Sequence, residues 1–241
     1  MSTHVEVLHI PMARDAAETT RAAPVAAPAD VCTESPLDTF TAEQVARLVH
    51  QVFFPASGKS RKQIVFSAVD EGVDVGGVCV LVGEALSRRV SERVAIVEAQ
   101  AWSRDAGIHP ERRRPSERVG IAPIRAASSQ LSGNLWSVSG PVFWGGDAHS
   151  GSPGWVRDRL GELRTEFDYS VLHAPAAGVY SGTSLLGQAS DGLVLVIEAN
   201  YTRRSSAQKA KELLHGANVR VLGTILSGRT FPIPEGIYRR L

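Results

Sequence analysis

The sequence has few cysteines and almost no net charge. It contains two cysteines, Cys32 and Cys79, which lie far apart and form no CxxC pair. This usage excludes a disulfide framework and suits a reducing compartment. The 26 basic and 25 acidic residues leave a net charge of +1. Such a balance argues against nucleic acid as a partner and against binding driven by a charged membrane surface.

Long hydrophobic runs and metal-ligand patterns are also lacking. No apolar run approaches the roughly 18 residues that a membrane span needs, and the N-terminal residues lack the basic-then-apolar pattern of a signal peptide. We therefore expect a cytoplasmic chain without direct membrane insertion, which would reach the inner membrane only through a partner. The seven histidines show no paired metal-ligand spacing, and no GxSxG element marks a serine hydrolase. No metal site and no catalytic residue is predicted.

The chain divides into an N-terminal arm and one domain. Residues 1–40 are rich in alanine and proline and contain few large apolar side chains. Such a segment buries too little surface to offset the entropy of ordering it, so a disordered arm is predicted. Residues 4–10 alternate like a strand, and local docking of that piece is the alternative. The whole chain is 43% apolar, enough for an ordinary globular core, and residues 41–241 are predicted to form a single domain.

From residue 41 onwards, helical patterns alternate with short apolar strands. Helices are predicted over 41–54, 76–90, 154–167, 182–189 and 202–217, and strands over 63–69, 93–99, 134–140, 168–175, 191–199 and 219–227. Thr41 and Thr202 are candidate N-caps. Continuously apolar strands between helices are typical of a parallel sheet covered on both faces. The predicted fold class is therefore α/β, with a doubly wound, mostly parallel sheet flanked by helices.

Ligands in such a fold bind beyond the carboxyl ends of the strands, so the loop over 67–77 is the first candidate site. A working phosphate loop needs GxxxxGK[ST] between a strand and a helix, because its amides and lysine hold phosphates and its hydroxyl holds magnesium. The loop here is SAVDEGVDVGG, without a lysine. The sequence Gly58-Lys59-Ser60 precedes the strand and would lie at the wrong edge of the sheet. We interpret the segment around it as a solvated basic connector.

The order and spacing of the motifs resemble the cytoplasmic kinase domain of bacterial tyrosine kinases of polysaccharide synthesis and export. These belong to the MinD/ParA superfamily of deviant P-loop ATPases. The family pattern SAxPGEGKST resembles SAVDEGVDVG (67–76), RVLLIDAD resembles RVAIVEAQ (93–100), and YDYVIIDTPP resembles FDYSVLHAPA (167–176). The stretch 191–227 is similar to the family's final strand-helix-strand. The resemblance implies the P-loop NTPase-like fold, with ATP and magnesium as the family's cofactors.

The chain departs from the family at the positions that handle ATP. The resemblance places the loop lysine on Asp74 and the magnesium-binding hydroxyl on Val75. The acids of the second motif fall on Glu98 and Gln100, and the aspartate of the third falls on His173. Together with Gly72 and Gly76, these are the positions of a degenerate nucleotide pocket. We expect no bound cofactor, while ATP with magnesium on rewired ligands remains the alternative.

Each altered position also has an ordinary structural interpretation. Asp74 can cap the helix that follows, because the first amides of a helix favour a carboxylate. His173 can be a packed histidine at the pocket edge, or a general base, since its ordinary pKa is near neutrality. Glu98 could hold a metal, although one carboxylate would hold it weakly.

Two further family features are altered. In the oligomerisation motif the family's glutamate falls on Glu43, and its two arginines fall on Ala46 and Val49, which argues against family-style ring assembly. The family's C-terminal tyrosine cluster corresponds to a segment with Tyr238 alone. The basic cluster over 109–120 is interpreted as a solvated loop, with an acidic partner or phosphorylation of Ser116 as alternatives.

Three functions are compatible with the sequence. The first is a non-catalytic paralogue, or pseudokinase, that serves as scaffold or regulator in exopolysaccharide biosynthesis and contacts a membrane chain-length or export protein or an active kinase paralogue. The second is an ATPase or tyrosine kinase with rewired ligands. The third is a ParA-like module that forms a homo-oligomer through the old nucleotide face.

Overall fold

The computed structural model describes residues 7–10, 36–56, 58–100, 123–145 and 152–228. The helices are α1 (Pro36–Phe53), α2 (Val75–Ser87), α3 (Gly140–Trp144), α4 (Pro153–Glu166), α5 (Gly182–Ala189) and α6 (Arg204–Gly216), with a 3₁₀ turn at Ile124–Ala127. The strands are β1 (Val7–Ile10), β2 (Gln63–Ala68), β3 (Val94–Glu98), β4 (Ser129–Ser132), β5 (Leu135–Val138), β6 (Tyr169–His173), β7 (Gly192–Glu198) and β8 (Val221–Ser227). None of the helices in these ranges has the length and hydrophobicity to span a lipid bilayer.

All the strands belong to one sheet in the order β1-β8-β7-β2-β6-β3-β5-β4. Every neighbouring pair is parallel except β4 and β5, which form an antiparallel hairpin. The central strand β2 lies between β6 and β7. The predicted fold class, a doubly wound and mostly parallel α/β sheet, is therefore confirmed.

Each face of the sheet carries a separate hydrophobic core, because successive strand side chains point to opposite faces. Ile64 and Phe66 of β2 pack into one core together with α1 and α2. Val65, between them, packs into the other core together with α3, α4, α5 and α6. The full burial of β2 explains why its sequence is apolar without alternation.

The helices and strands predicted from periodicity are present, with ends shifted by a few residues. The hairpin strand β4, the 3₁₀ turn and the five-residue α3 lie where no firm pattern or element was predicted. Four or five residues are too few to show a helical period, and β4 is exposed along its length, so it has no apolar signature. The N-cap of α6 is Arg203 rather than the predicted Thr202.

The N-terminal boundary differs from the prediction. Helix α1 begins at Pro36, so Thr41 lies inside the helix rather than at its N-cap. Residues Val7–Ile10 form a strand that pairs in parallel with β8, which matches the docked alternative for that piece. The arm over 1–40 is therefore not disordered throughout, because an edge strand offers unpaired backbone groups to a short apolar segment. Residues 1–6 and 11–35 of the arm lie outside the described ranges, as do the cluster over 109–120 and Tyr238.

Candidate functional site

The candidate site lies at the carboxyl edge of the sheet, where the loop from β2 enters α2. Asp74 is the N-cap of α2, and its carboxylate Oδ1 accepts a hydrogen bond of 2.8 Å from the backbone amide of Gly77. The first amides of a helix have no partner within the helix, and the helix dipole favours a negative charge there. The capping interpretation of Asp74 is confirmed.

The loop before Asp74 accepts hydrogen bonds from two tyrosines. The hydroxyl of Tyr201 donates to the backbone oxygen of Glu71 (3.0 Å), and the hydroxyl of Tyr180 donates to the carboxylate of Glu71 (2.5 Å). We call these three residues the Glu71 clasp. Gly72 next to it has φ +86°, and a Cβ there would lie 3.3 Å from the Tyr201 hydroxyl. Glycine is therefore favoured at position 72 by its backbone conformation as well as by the close contact.

Backbone contacts join the same loop to the segment after β6. The amide of Ala177 donates to the oxygen of Ala68 (2.8 Å), and the amide of Gly178 donates to the oxygen of Val69 (3.1 Å). A Cβ on Gly178 would lie 2.6 Å from the Val69 oxygen, so the two backbone segments can approach this closely only with glycine at position 178. The clasp and these bonds hold the loop in one conformation. Sequence analysis did not find them, because Tyr180 and Tyr201 follow other strands.

His173 and Gln100 form a pair beside this loop. His173 ends β6, opposite Glu98 at the end of β3. The side-chain nitrogen of Gln100 lies 2.5 Å from Nε2 of His173. An amide nitrogen can only donate, so Nε2 accepts and the neutral ring carries its proton on Nδ1. The structure thus brings Asp74, Glu98, Gln100 and His173 to one edge, as the sequence order predicted.

The His173 ring lies over the first turn of α2. A Cβ on Gly76 would lie 3.6 Å from Cε1 of His173 and 3.4 Å from Oδ1 of Asp74. Burial lowers the pKa of His173 below its ordinary value, and the negative charges of Glu98 and Asp74 only partly oppose this. These contacts are those of a packed histidine at a pocket edge.

The remaining predicted site positions differ in accessibility. Val75 is buried in the core that α2 shares with α1, whereas Glu98 is exposed at the end of its strand. Within the described ranges, no three His, Cys, Asp or Glu side chains are grouped so that they could hold a metal ion. Cys79 of α2 is fully buried, and burial raises the pKa of its thiol, so it is not a nucleophile.

The segment Gly58-Lys59-Ser60 lies before β2, at the amino edge of the sheet. It lines a cavity with residues that precede β7 and β8. The prediction that this GKS lies at the edge opposite the candidate site is confirmed.

Comparison with curated proteins gives two kinds of match. The tyrosine-protein kinase YwqD of Bacillus subtilis (strain 168) is 25% identical, over 70% of this chain and 78% of that protein. The tyrosine-protein kinase CpsD of Streptococcus agalactiae is 32% identical over 65 residues, which are 27% of this chain and 28% of CpsD. This chain is a homologue of the bacterial tyrosine-protein kinases. No protein-family profile matches it.

Solved structures of bacterial tyrosine kinases share the fold. The kinase domain of the Escherichia coli tyrosine kinase ETK has a TM-score of 0.62 at 14% identity, over 95% of this chain and 92% of that domain. The MinC:MinD cell division complex of Aquifex aeolicus has a TM-score of 0.50 at 18% identity, over 74% of this chain and 72% of that one. The chain therefore shares the P-loop NTPase-like fold of the MinD/ParA type with these structures.

The fold also gives a physical account of the altered oligomerisation motif. Val49 of α1 is fully buried, so position 49 does not face a neighbouring subunit. Position 46 is held within the domain, because the backbone oxygen of Ala46 accepts a 2.8 Å bond from Arg89. Of the three motif positions, Glu43 alone is exposed.

Proposed function

We propose that this homologue of the tyrosine kinases is non-catalytic and acts as a scaffold or regulator in exopolysaccharide biosynthesis or export. One observation carries the proposal. The carboxylate of Asp74 binds the Gly77 amide at the start of α2, where the fold would otherwise offer free amides to a phosphate. A fixed negative charge thus occupies the place of the anionic ligand.

The charge of the whole loop supports this proposal. Residues 67–77 contain three acids, Asp70, Glu71 and Asp74, and no lysine or arginine. Two unit charges about 4 Å apart interact by roughly 4 kcal/mol near a protein surface. Replacing a lysine by Asp74 removes an attraction of about that size and adds a repulsion. A difference of about 4 kcal/mol alone corresponds to nearly a thousandfold in affinity.

The residues that would hold ATP and magnesium in the family do not fit those groups here. Val75, at the position of the magnesium-binding hydroxyl, has no oxygen and is buried in the core. Gln100 and His173 are bonded to each other, which leaves Glu98 as the one carboxylate among the three acidic positions of the family motifs. Phosphoryl transfer depends on positioned phosphates and metal. We therefore assign no catalytic residue and no cofactor.

A chain that retains the family's fold but has an altered phosphate site can still present its surface to another protein. The partner we propose is a membrane chain-length or export protein, or an active kinase paralogue, since the homologues are named tyrosine-protein kinases. Binding would bring this chain to the membrane periphery. Its gene should accordingly lie among genes for glycosyltransferases and export proteins, and a neighbourhood without them would count against the role.

Calorimetry with ATP, ADP and GTP in the presence of magnesium tests the central point. We expect no binding at millimolar nucleotide. In parallel, the double variant Asp74→Lys and Val75→Ser asks whether the pocket shape survives. Measurable binding by this variant alone would show that the pocket shape survives and that the residues at positions 74 and 75 exclude the nucleotide.

Micromolar affinity of the wild-type chain would refute the proposal. It would favour a nucleotide-binding enzyme in which the amides of Gly72, Gly76 and Gly77 hold the phosphates. A nucleotide-dependent increase in mass would instead favour the ParA-like dimerising module.

A further inference from the structure

The amino edge of the sheet, opposite the edge that carries Asp74, has a polar cavity. It has a volume of about 470 Å³. Its polar lining includes Lys59, Arg61, Gln188, Asp191, Asn218 and Arg220. We call it the amino-edge groove. Its size falls in the range of pockets that bind small ligands.

The acid in the lining already has hydrogen-bond partners. The Oδ2 atom of Asp191 accepts bonds from the amides of Lys62 (2.7 Å) and Gln63 (2.8 Å), and its Oδ1 pairs with Arg164 at 3.0 Å. Asp191 therefore ties the start of β2 to the start of β7, and its single negative charge offsets the cations of the groove only in part. Lys59, Arg61 and Arg220 leave the groove with an excess of positive charge.

The positive charge of Arg61 is held in place by a contact within the fold. Its Nη1 donates to the backbone oxygen of Val52 at 2.8 Å, near the end of α1, and this bond anchors the guanidinium. Burial lowers the pKa of Arg61 and the positive charge of Arg220 adds to the effect, whereas the negative charge of Asp191 opposes it. Arg61 and Arg220 line the same cavity, so an anion bound there would stabilise both positive charges.

We propose that the amino-edge groove binds the phosphate of a phosphorylated tyrosine on a partner chain. Arginines suit this group, because their planar N–H donors can bind phosphate oxygens in pairs. Clusters of arginine are a recurring means of recognising phosphorylated residues. The choice of tyrosine rests on the proposed function, since an active tyrosine kinase is the partner that would display this residue.

Asn218 and Gln188 add polar groups around such a phosphate. Gln188 donates one N–H of its side-chain amide to the backbone oxygen of Ala217 (2.5 Å), which leaves the second N–H as a donor for a phosphate oxygen. Asn218 adopts a positive φ of 54° at the start of the turn into β8. The groove therefore combines two arginines, a lysine and two side-chain amides. Residues 58–60 are exposed, as expected for a solvated connector, and under this proposal Lys59 of that segment also contributes to an anion site.

Fluorescence anisotropy with a labelled Gly-Ser peptide that contains one phosphotyrosine tests the proposal on the full chain. We expect saturable binding that weakens with salt. The peptide with unmodified tyrosine should not bind. Inorganic phosphate and a phosphoserine peptide should compete less well than the phosphotyrosine peptide, and this comparison separates recognition of tyrosine from recognition of phosphate alone.

Variants locate the site. Arg220→Gln and Lys59→Gln should each weaken binding by about tenfold or more, the effect of losing one charged hydrogen bond. Lys62→Gln is the matched control, because Lys62 lies in the same segment but over the ring of Tyr169. Equal binding of both tyrosine peptides, or an equal loss in all three variants, would overturn the proposal, and competition by phosphoserine as strong as by phosphotyrosine would remove tyrosine as the target.

This test and the nucleotide test fail independently. The peptide assay contains no nucleotide and probes the amino edge, whereas calorimetry with ATP probes the carboxyl edge. A wild-type chain that binds ATP tightly but also binds the phosphopeptide would refute the proposed function and keep the groove. A chain that binds neither would keep the proposed function and remove the groove as a phosphotyrosine site.

Discussion

Asp74 is the residue of the candidate site that most changes its expected chemistry. The Gly77 amide at the start of α2 donates a hydrogen bond to its carboxylate. An aspartate at an N-cap satisfies an amide and complements the helix dipole. The same carboxylate repels an incoming phosphate. One residue therefore contributes to the stability of the fold and to the loss of the family's chemistry that we propose.

Removal of the Asp74 cap should measurably lower the stability of the fold. Asp74→Ala should lower the free energy of unfolding by about 1 kcal/mol, as measured by urea denaturation. Asp74→Asn should change it little, because asparagine caps about as well as aspartate. Asp158→Ala, at an exposed position of α4, is a control that should stay within about 0.5 kcal/mol of the wild type. If Asp74→Ala matched this control, the cap would contribute no stability.

His173 predicts a pH dependence. Its pKa in the folded chain is lowered by burial, so the unfolded chain takes up a proton first, near about pH 6.5. Stability should therefore fall as the pH drops below about 6.5 and stop falling below the folded pKa. The Glu98 and Asp74 charges limit the size of the effect.

NMR titration can measure the pKa of the His173 ring directly, once its signal is distinguished from those of the exposed His50 and His215. A midpoint below the ordinary value of about 6.5 is expected. In urea denaturation at pH 7.5 and 5.5, His173→Gln should lose less stability on acidification than the wild type. A midpoint at or above the ordinary value would contradict the burial argument.

At the scale of elements, the close packing of α2 on β3 depends on a glycine. A Cβ on Gly83 would lie 2.5 Å from Cγ1 of Ile96, whereas a Cβ on Gly161 in α4 would meet nothing within 4 Å. Both glycines lie inside helices, where alanine is intrinsically favoured by about 1 kcal/mol. The two sites thus separate helix propensity from packing.

Gly83→Ala should destabilise the fold, because overpacking costs typically 1–3 kcal/mol and exceeds the gain in propensity. Gly161→Ala should stabilise it by up to about 1 kcal/mol. Thermal or urea denaturation of the two variants measures both signs. Stabilisation of similar size in both would mean that Ile96 moves aside without cost.

At the scale of the whole molecule, the question is whether the chain assembles as its relatives do. The oligomerisation motif is altered at positions 46 and 49, and Val49 is buried in the core. We predict that the chain does not form the family's ring. The exposed Glu43 alone cannot replace contacts that need arginines on the same surface.

Light scattering and sedimentation with and without MgATP test this prediction. The mass should be the same under both conditions, because neither the ring motif nor the nucleotide edge supports association. Ala46→Arg should leave the mass unchanged, since one arginine does not restore the motif. A larger species of defined size that forms with MgATP would contradict both the assembly prediction and the proposed function.

The sequence predicted the sheet and much of the candidate site for a simple physical reason. Parallel strands that are buried on both faces, such as β2, are mostly apolar without alternation, so they can be recognised in the sequence. The ends of β2, β3 and β6 meet at one edge in such a sheet, and this places Asp74, Glu98 and His173 together. The exposed strand β4 and the short α3 carry no such pattern.

The sequence by itself determined the fold class and the acidic character of the loop before α2, because the hydrophobicity and the charge of each residue follow directly from its type. Only the tertiary structure decided which distant side chains meet. It brought Tyr180 and Tyr201 onto Glu71, placed Arg220 in the same groove as Arg61, and docked Val7–Ile10 on β8. These contacts join residues far apart in the chain, and they depend on how loops return across the sheet, which no local pattern encodes.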